Sequence, residues 1–246
     1  MLEQSPLAVD ETSRGVSRRM VVKTAAWSVP TVAVAVGIPQ AAHASPGDGV
    51  VLFTSAFDGI GSGLPSNFSV RTGATTSAVG TAAAFATAAA PWNNTGGGFK
   101  NVASADGLTA ASDTTAQNAS TDRAVAVRQV TATDTGVAFT IDSLSTADVT
   151  GVTVSFKAQS LDASSPRQTT WTVDAFVGAT RITSGTTFTT GNSTFGSTSV
   201  AAIFPATIEN QTGVTIRIAC LTATTGTGNR ATTGIDDLTV SATSTV

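Results

Sequence analysis

Histidine occurs once in these 246 residues, as His43, and cysteine once, as Cys220. Those two positions bound the chemistry, because imidazole is the usual acid–base group and metal ligand near neutral pH. His43 lies in Ala42-His43-Ala44, inside a segment expected to be removed (below). Without it, Ser-His-Asp, Cys-His and His-ligated metal mechanisms cannot be assembled. Cys220 follows Val214, Ile216 and Ile218 at period two, the position of a buried strand residue rather than a reactive thiol. Carboxylates are what remain. Glu209 is the single glutamate after Ser45 and falls in a turn region between Pro205 and Gly213. Asp236 and Asp237 are adjacent, so on a strand they point to opposite faces. A carboxylate-dependent glycoside hydrolase, which needs two facing carboxyl groups, is therefore the remote reading. Gly96-Gly97-Gly98 runs into Phe99-Lys100-Asn101 and lacks the Lys-Ser/Thr ending of a phosphate loop.

Binding chemistry is better represented. Trp92 precedes Asn93 and Asn94 in a long polar stretch, with Asn101 further on. A pyranose can stack on an indole while amides bond its hydroxyls. The competing role for Trp92 is an inward anchor for a loop poor in large apolar groups. Trp171 alternates with Val173 and reads as core. From Ser45 onward there are thirteen acidic and nine basic residues, a net charge of −4, with Lys100 and Lys157 the only lysines. That balance argues against nucleic acid as a partner.

The elements that position these groups begin after a leader. Ser17-Arg18-Arg19-Met20-Val21-Val22-Lys23 is followed by an apolar run to Ile38 and by small residues at Ala42 and Ala44. This is the order of an export signal, and the Arg18-Arg19 pair resembles the twin-arginine type. The run is too short and too interrupted, by Trp27, Pro30, Gly37 and Pro39, for a spanning helix. The expectation is a removed leader at 1–44, no stable membrane anchor, and a secreted domain at 45–246.

Within that domain, apolar residues alternate with period two at Val51/Phe53/Phe57, Val125/Val127, Val137/Phe139/Ile141, Val152/Val154/Phe156, Trp171/Val173/Ala175, Val214 to Cys220, and Leu238/Val240. Turn residues such as Gly136, Thr150-Gly151, Ser164-Ser165-Pro166, Gly191-Asn192 and Gly226 to Asn229 separate the runs. Short strands without a long helical period predict an all-β, antiparallel jelly-roll sandwich. The Ala-, Thr- and Gly-rich stretch at about 73–121 reads as a long loop, with a short helix possible over Ala82 to Ala90 before Pro91.

Phe57-Asp58-Gly59, Leu64-Pro65, Trp92, Gly97 to Asn101, Asp122 to Val125, Gly228-Asn229-Arg230 and Gly234-Ile235-Asp236-Asp237-Leu238 occur in that order. The series resembles a family of jelly-roll β-sandwich modules of secreted and surface bacterial proteins, similar in shape to galactose-binding-like and concanavalin-like carbohydrate modules. The resemblance implies a non-catalytic domain whose terminal strands are neighbours. Asp58, Asp236 and Asp237 would then meet and hold Ca²⁺ with the Gly228–Asn229 carbonyls. The alternative is one aspartate buried against Arg123 or Arg230 and the other solvated. Two functions follow as expectations: a module binding a polysaccharide or cell-surface glycan, or a structural extracellular protein acting by self-association.

Overall fold

The computed structural model describes residues 47–94, 96–130, 136–163, 167–221 and 230–246. The leader residues Arg18, Arg19, Ala42 and Ala44 lie outside them, as do the expected turns at 164–166 and 226–229. The described chain contains β1 (Gly49–Ser55), β2 (Phe68–Ala74), β3 (Thr81–Ala82), β4 (Phe85–Ala90), β5 (Gly98–Ala103), α1 (Thr114–Ala119), β6 (Arg123–Arg128), β7 (Gly136–Leu144), β8 (Val149–Ser160), β9 (Gln168–Val177), β10 (Thr180–Gly191), β11 (Gly196–Ile203), β12 (Val214–Cys220) and β13 (Thr233–Ser244). They form two sheets packed face to face, the jelly-roll sandwich that the alternation predicts. Sheet A runs β11-β8-β13-β6-β5-β4, with β1 also on β13, and sheet B runs β10-β9-β12-β7-β2-β3. The pairs are antiparallel except β4–β5, which is parallel. Among the described residues no helix is long and apolar enough to cross a membrane.

The period-two residues fill the space between the sheets, Cys220 among them, and each large side chain buried there contributes about 1.5–3 kcal/mol. An aromatic series crosses this core. Phe99 meets Phe139 edge-on at 5.7 Å, Phe139 stacks on Trp171 at 5.5 Å, and Trp171 stacks on Phe188 at 6.0 Å.

Three local expectations are corrected. Val51 is 56% exposed rather than core, because a register shift between Val51 and Phe53 in β1 breaks the alternation. The stretch at 73–121 is not one long loop: it holds β3, β4, β5 and α1. Residues 85–90 form a strand beside β5 rather than a helix. The N-cap of α1 is Asp113, whose carboxylate accepts from the Ala116 N–H, a signal present in the sequence but unread.

β13 carries the organising irregularity of sheet A. Its first residues pair with β6, up to Ile235 opposite Val125, and from Leu238 onward it pairs with β1, starting opposite Ser55. The switch falls on Asp236-Asp237, where the register slips and Asp237 takes a left-handed φ of 48°. A bulge here lets one strand serve two neighbours along the same edge.

Candidate functional site

A concavity among the described residues opens at the flank of the sandwich, where the chain leaves sheet B through β10 and enters sheet A through β11. It encloses about 390 Å³. Its apolar walls are the rings of Phe188 and Phe195, both half-buried, and its polar lining includes Ser160, Thr190, Thr194 and Ser197. None of its lining residues is charged.

The walls and floor are rigidly held. Phe188 is the last ring of the core series and also meets Phe156 edge-on at 5.5 Å. Phe195 leans on Trp92, with ring centres 4.8 Å apart. On the floor, Thr190 Oγ1 lies 2.8 Å from Thr169 Oγ1 and 2.6 Å from Thr233 Oγ1, and Trp171 Nε1 donates to Thr169 Oγ1 at 3.1 Å. Ser160 Oγ donates to the Thr194 carbonyl at 3.0 Å and accepts the Gly191 N–H at 2.8 Å. Gly191 is required by this turn: its φ is +90°, and a Cβ would come within 2.0 Å of the Arg167 carbonyl oxygen. On the rim, Ser197 hydrogen-bonds Asp106, which in turn pairs with Lys157. Ser160 Oγ also accepts the Thr194 hydroxyl at 3.2 Å, which fills its one donor and two acceptor positions, while the Thr194 and Ser197 hydroxyls keep acceptor positions for a bound molecule.

Neither aromatic wall was singled out from the sequence. Phe188 sits in the run Thr186-Thr187-Phe188-Thr189-Thr190, and Phe195 stands alone between Thr194 and Gly196. The signal available was a lone large apolar residue in each of two hydroxyl-rich segments.

Of the residues singled out for binding, Trp92 is only 3% exposed and its ring faces are covered. Its indole N–H donates to the Ala103 carbonyl at 2.7 Å, its backbone N–H to Gln117 Oε1 at 2.8 Å, and its carbonyl accepts from the Thr232 hydroxyl at 2.8 Å. It is the centre of a small second core on the outer face of sheet A, with Val102, Ala103, Ala124, Ala126 and Leu161. The expectation of an exposed stacking ring is therefore corrected, and the anchoring alternative is what the structure shows. Asn101 is likewise buried, donating to the Thr87 carbonyl at 2.8 Å and accepting from Arg123 Nε at 2.6 Å. Asn93 is exposed, while Asn94 accepts the Gly96 N–H at 2.8 Å. The four do not line the flank cleft.

The aspartates gather where β13 changes partners, but not as the expected set of three. Asp58 accepts the backbone N–H of Arg123 at 3.1 Å. Asp236 is buried, held by the N–H of Asp237 at 2.8 Å and by Gln159 Nε2 at 3.4 Å, and it shares a hydrogen bond with Asp122. Asp237, on the other side of the bulge, pairs instead with Lys157 at 2.8 Å. Among the described residues no three Asp, Glu, His or Cys side chains are grouped to hold a metal. The salt-bridge alternative fails as well: the Arg123 guanidinium turns to Asn101 and to the carbonyls of Gln117 and Ser120, and Arg230 Nη1 donates to the Gln168 carbonyl.

Burial, followed by the nearby charges of Asp237 and Asp122, pushes the Asp236 carboxyl up to about 7, against hydrogen bonds from Ser104 and the Asp237 N–H that pull it down. Burial and the charge of Asp58 raise Asp122 in the same direction. The folded domain thus holds a proton that the unfolded chain releases at an ordinary carboxylate pKa. That stability is present in full below about pH 4 and is lost as pH rises through 7. Melting should rise by several degrees between pH 8 and pH 5.5, and Asp236→Asn should flatten that dependence. A wild-type curve that does not vary over this range would contradict the arrangement.

No family profile matches the chain, and no curated protein matches it. Solved structures do. The CBM22-1 xylan-binding domain from Paenibacillus barcinonensis is 10% identical, with 82% of this chain and 99% of that chain covered and a TM-score of 0.47. The K3 cleaved adhesin domain of Lys-gingipain from Porphyromonas gingivalis is 11% identical, covering 78% and 99% at a TM-score of 0.41. A family 11 carbohydrate-binding module from Clostridium thermocellum, in complex with a β-1,3-1,4-mixed-linked tetrasaccharide, is 10% identical, covering 80% and 96% at 0.39. At these values the likeness carries no ligand over to this chain.

Proposed function

We propose that this chain is a secreted, non-catalytic module that binds an uncharged stretch of a polysaccharide or cell-surface glycan in the flank cleft. The supporting observation is the cleft lining: two aromatic rings, Phe188 and Phe195, face a volume of about 390 Å³ among fixed hydroxyls, with no charged group in the lining. That volume falls in the range of small-molecule sites, about 300–1,000 Å³. Pyranose rings have apolar faces and hydroxyl edges, which such walls and such a floor complement. A hydrolase would need carboxylates flanking the scissile bond, and the carboxylate of Glu209, one of the groups considered for that role, accepts the Gly151 N–H at 2.8 Å in a separate turn. Export through the twin-arginine route is part of the same proposal and rests on Arg18-Arg19.

Phe195→Ala removes one wall. Losing a contact of about 1.4 kcal/mol weakens binding tenfold, so retention in affinity gels cast with neutral polysaccharides should fall at least that far while the domain stays folded. Unchanged retention in Phe195→Ala and Phe188→Leu would place any glycan elsewhere.

Calcium is a separate proposal; since no three acidic side chains are grouped to hold it among the described residues, it would rest on Asp236 with Asp122 and backbone oxygens. A cation there would supply the positive charge that the proton supplies at low pH. Calcium should then raise the melting temperature at pH 8 and remove its pH dependence, and chelator should restore both; identical curves with calcium and with chelator would exclude it.

A further inference from the structure

Two cations are buried side by side on the outer face of sheet A, and neither lines the cleft. Phe99 and Val127 point into the core, so their neighbours Lys100 and Arg128 project from the opposite face. Lys100 is paired with Ala126 and Gly98 with Arg128, which sets the two basic residues diagonally across β5 and β6. Lys100 is 4% exposed and Arg128 8%.

Their partners do not match their charge. The Lys100 ammonium has three donors, and its hydrogen bond goes to the carbonyl of Gly96 at 2.5 Å. Arg128 Nη1 donates to the Asn94 carbonyl at 3.1 Å, and Nη2 lies 3.3 Å from Asp162 Oδ2. Arg128 Nε is buried with no hydrogen-bond partner. The carboxylate of Asp162 therefore serves Arg128, and Lys100 faces only a neutral oxygen. Burial, then the charge of Arg128, lowers the Lys100 pKa to about 8. Burying charge without a counter-charge is costly, and natural sites supply one.

We propose that Lys100 and Arg128 form a site for a carboxylate or similar small oxyanion, whose oxygens replace the carbonyls of Asn94 and Gly96. Charge-assisted bonds to an anion are roughly twice as strong as those to a neutral carbonyl. A carboxylate presents two oxygens, enough to reach the ammonium and the vacant Nε together. Gly96 and Gly97 are exposed and bring no side chain over the pair. Two sources carry this chemistry, a uronate residue of an acidic glycan and a free anion.

The test uses the full chain at constant ionic strength, titrated with glucuronate, inorganic phosphate and glucose while its melting temperature is followed. The melting temperature should rise saturably with glucuronate or phosphate and stay level with glucose. Lys100→Met keeps the apolar stem and should raise the half-saturating concentration at least tenfold. Retention on a polyuronate gel, lost in Lys100→Met, assigns the anion to a glycan; a response confined to the free ions assigns it to a small solute. No shift with either anion, or equal shifts in wild type and Lys100→Met, overturns the site. A neutral-glycan affinity that Phe195→Ala abolishes would be untouched by that failure, so the two proposals stand or fall separately.

Discussion

Trp92→Ala is expected to destabilise the domain by about 3–5 kcal/mol, the range for deleting a large aromatic side chain from a core. At roughly 2–4 °C per kcal/mol for a chain of this size, the melting temperature should fall by roughly 6–20 °C. The physical reason is the number of elements that one residue joins. Its ring backs Phe195, its indole and backbone bonds reach β5 and α1, and its carbonyl receives Thr232 just before β13. Trp92→Phe keeps the ring and loses the indole hydrogen bond, so its cost should be nearer 1 kcal/mol. Glycan retention should weaken in Trp92→Ala even at temperatures where the variant is folded, because Phe195 loses its backing. A variant that melts like wild type yet no longer binds would restore Trp92 as a direct contact.

Asp174→Ala should be comparably severe for a different reason. On the outer face of sheet B, Asp174 and Arg217 are both fully buried. Asp174 accepts from Arg217 Nε and Nη2, both at 2.7 Å, and from Arg181 Nε at 2.7 Å. Arg217 completes its shell with the carbonyls of Thr75 and Ala78, tying the connection after β2 down over the sheet, and with the face of Phe176 at 4.7 Å. Removing the carboxylate strands a buried guanidinium, which typically costs 3–5 kcal/mol. The double variant Asp174→Leu with Arg217→Met should be less destabilised than Asp174→Ala alone, since no charge is left uncompensated. Additive losses would show that the pair's geometry, not its charge balance, holds this face.

The sequence made some of this legible and hid the rest for identifiable reasons. Strands β6 to β9, β12 and β13 were readable because Val, Ile, Phe and Trp alternate with polar or smaller residues in them. β10 alternates just as regularly in exposure, but largely with threonine and serine on both faces, so hydrophobicity does not record it. β4 is nearly all alanine and threonine, and four of its six residues are exposed. The position of Trp92 misled for a related reason. Apart from Val102 and Leu161, the core that buries it is assembled from Ala103, Ala105, Ala124 and Ala126, residues too small to advertise a packed surface. The first and last strands do pair, but Asp58, Asp236 and Asp237 each take a different partner. What period-two reasoning could not supply was the bulge at Asp236-Asp237, which sends one carboxylate inward and the other to Lys157.

That bulge also sets the order in which the protein can be completed. Among the described residues β13 is the only neighbour that β1 has in its sheet, and it separates β8 from β6. Until residues 233–244 leave the ribosome, sheet A exists as three unconnected pieces: β1 alone, β8 with β11, and β6 with β5 and β4. No stretch of sequence local to any piece can join them, and the closing contacts span nearly the whole domain, as between Thr54 and Thr239. Closure is therefore a single late event, slow because its contacts are distant along the chain. A nascent chain short of β13 presents open strand edges and an uncovered core face, and a chaperone that shields such surfaces would be needed for the whole of synthesis rather than for its beginning.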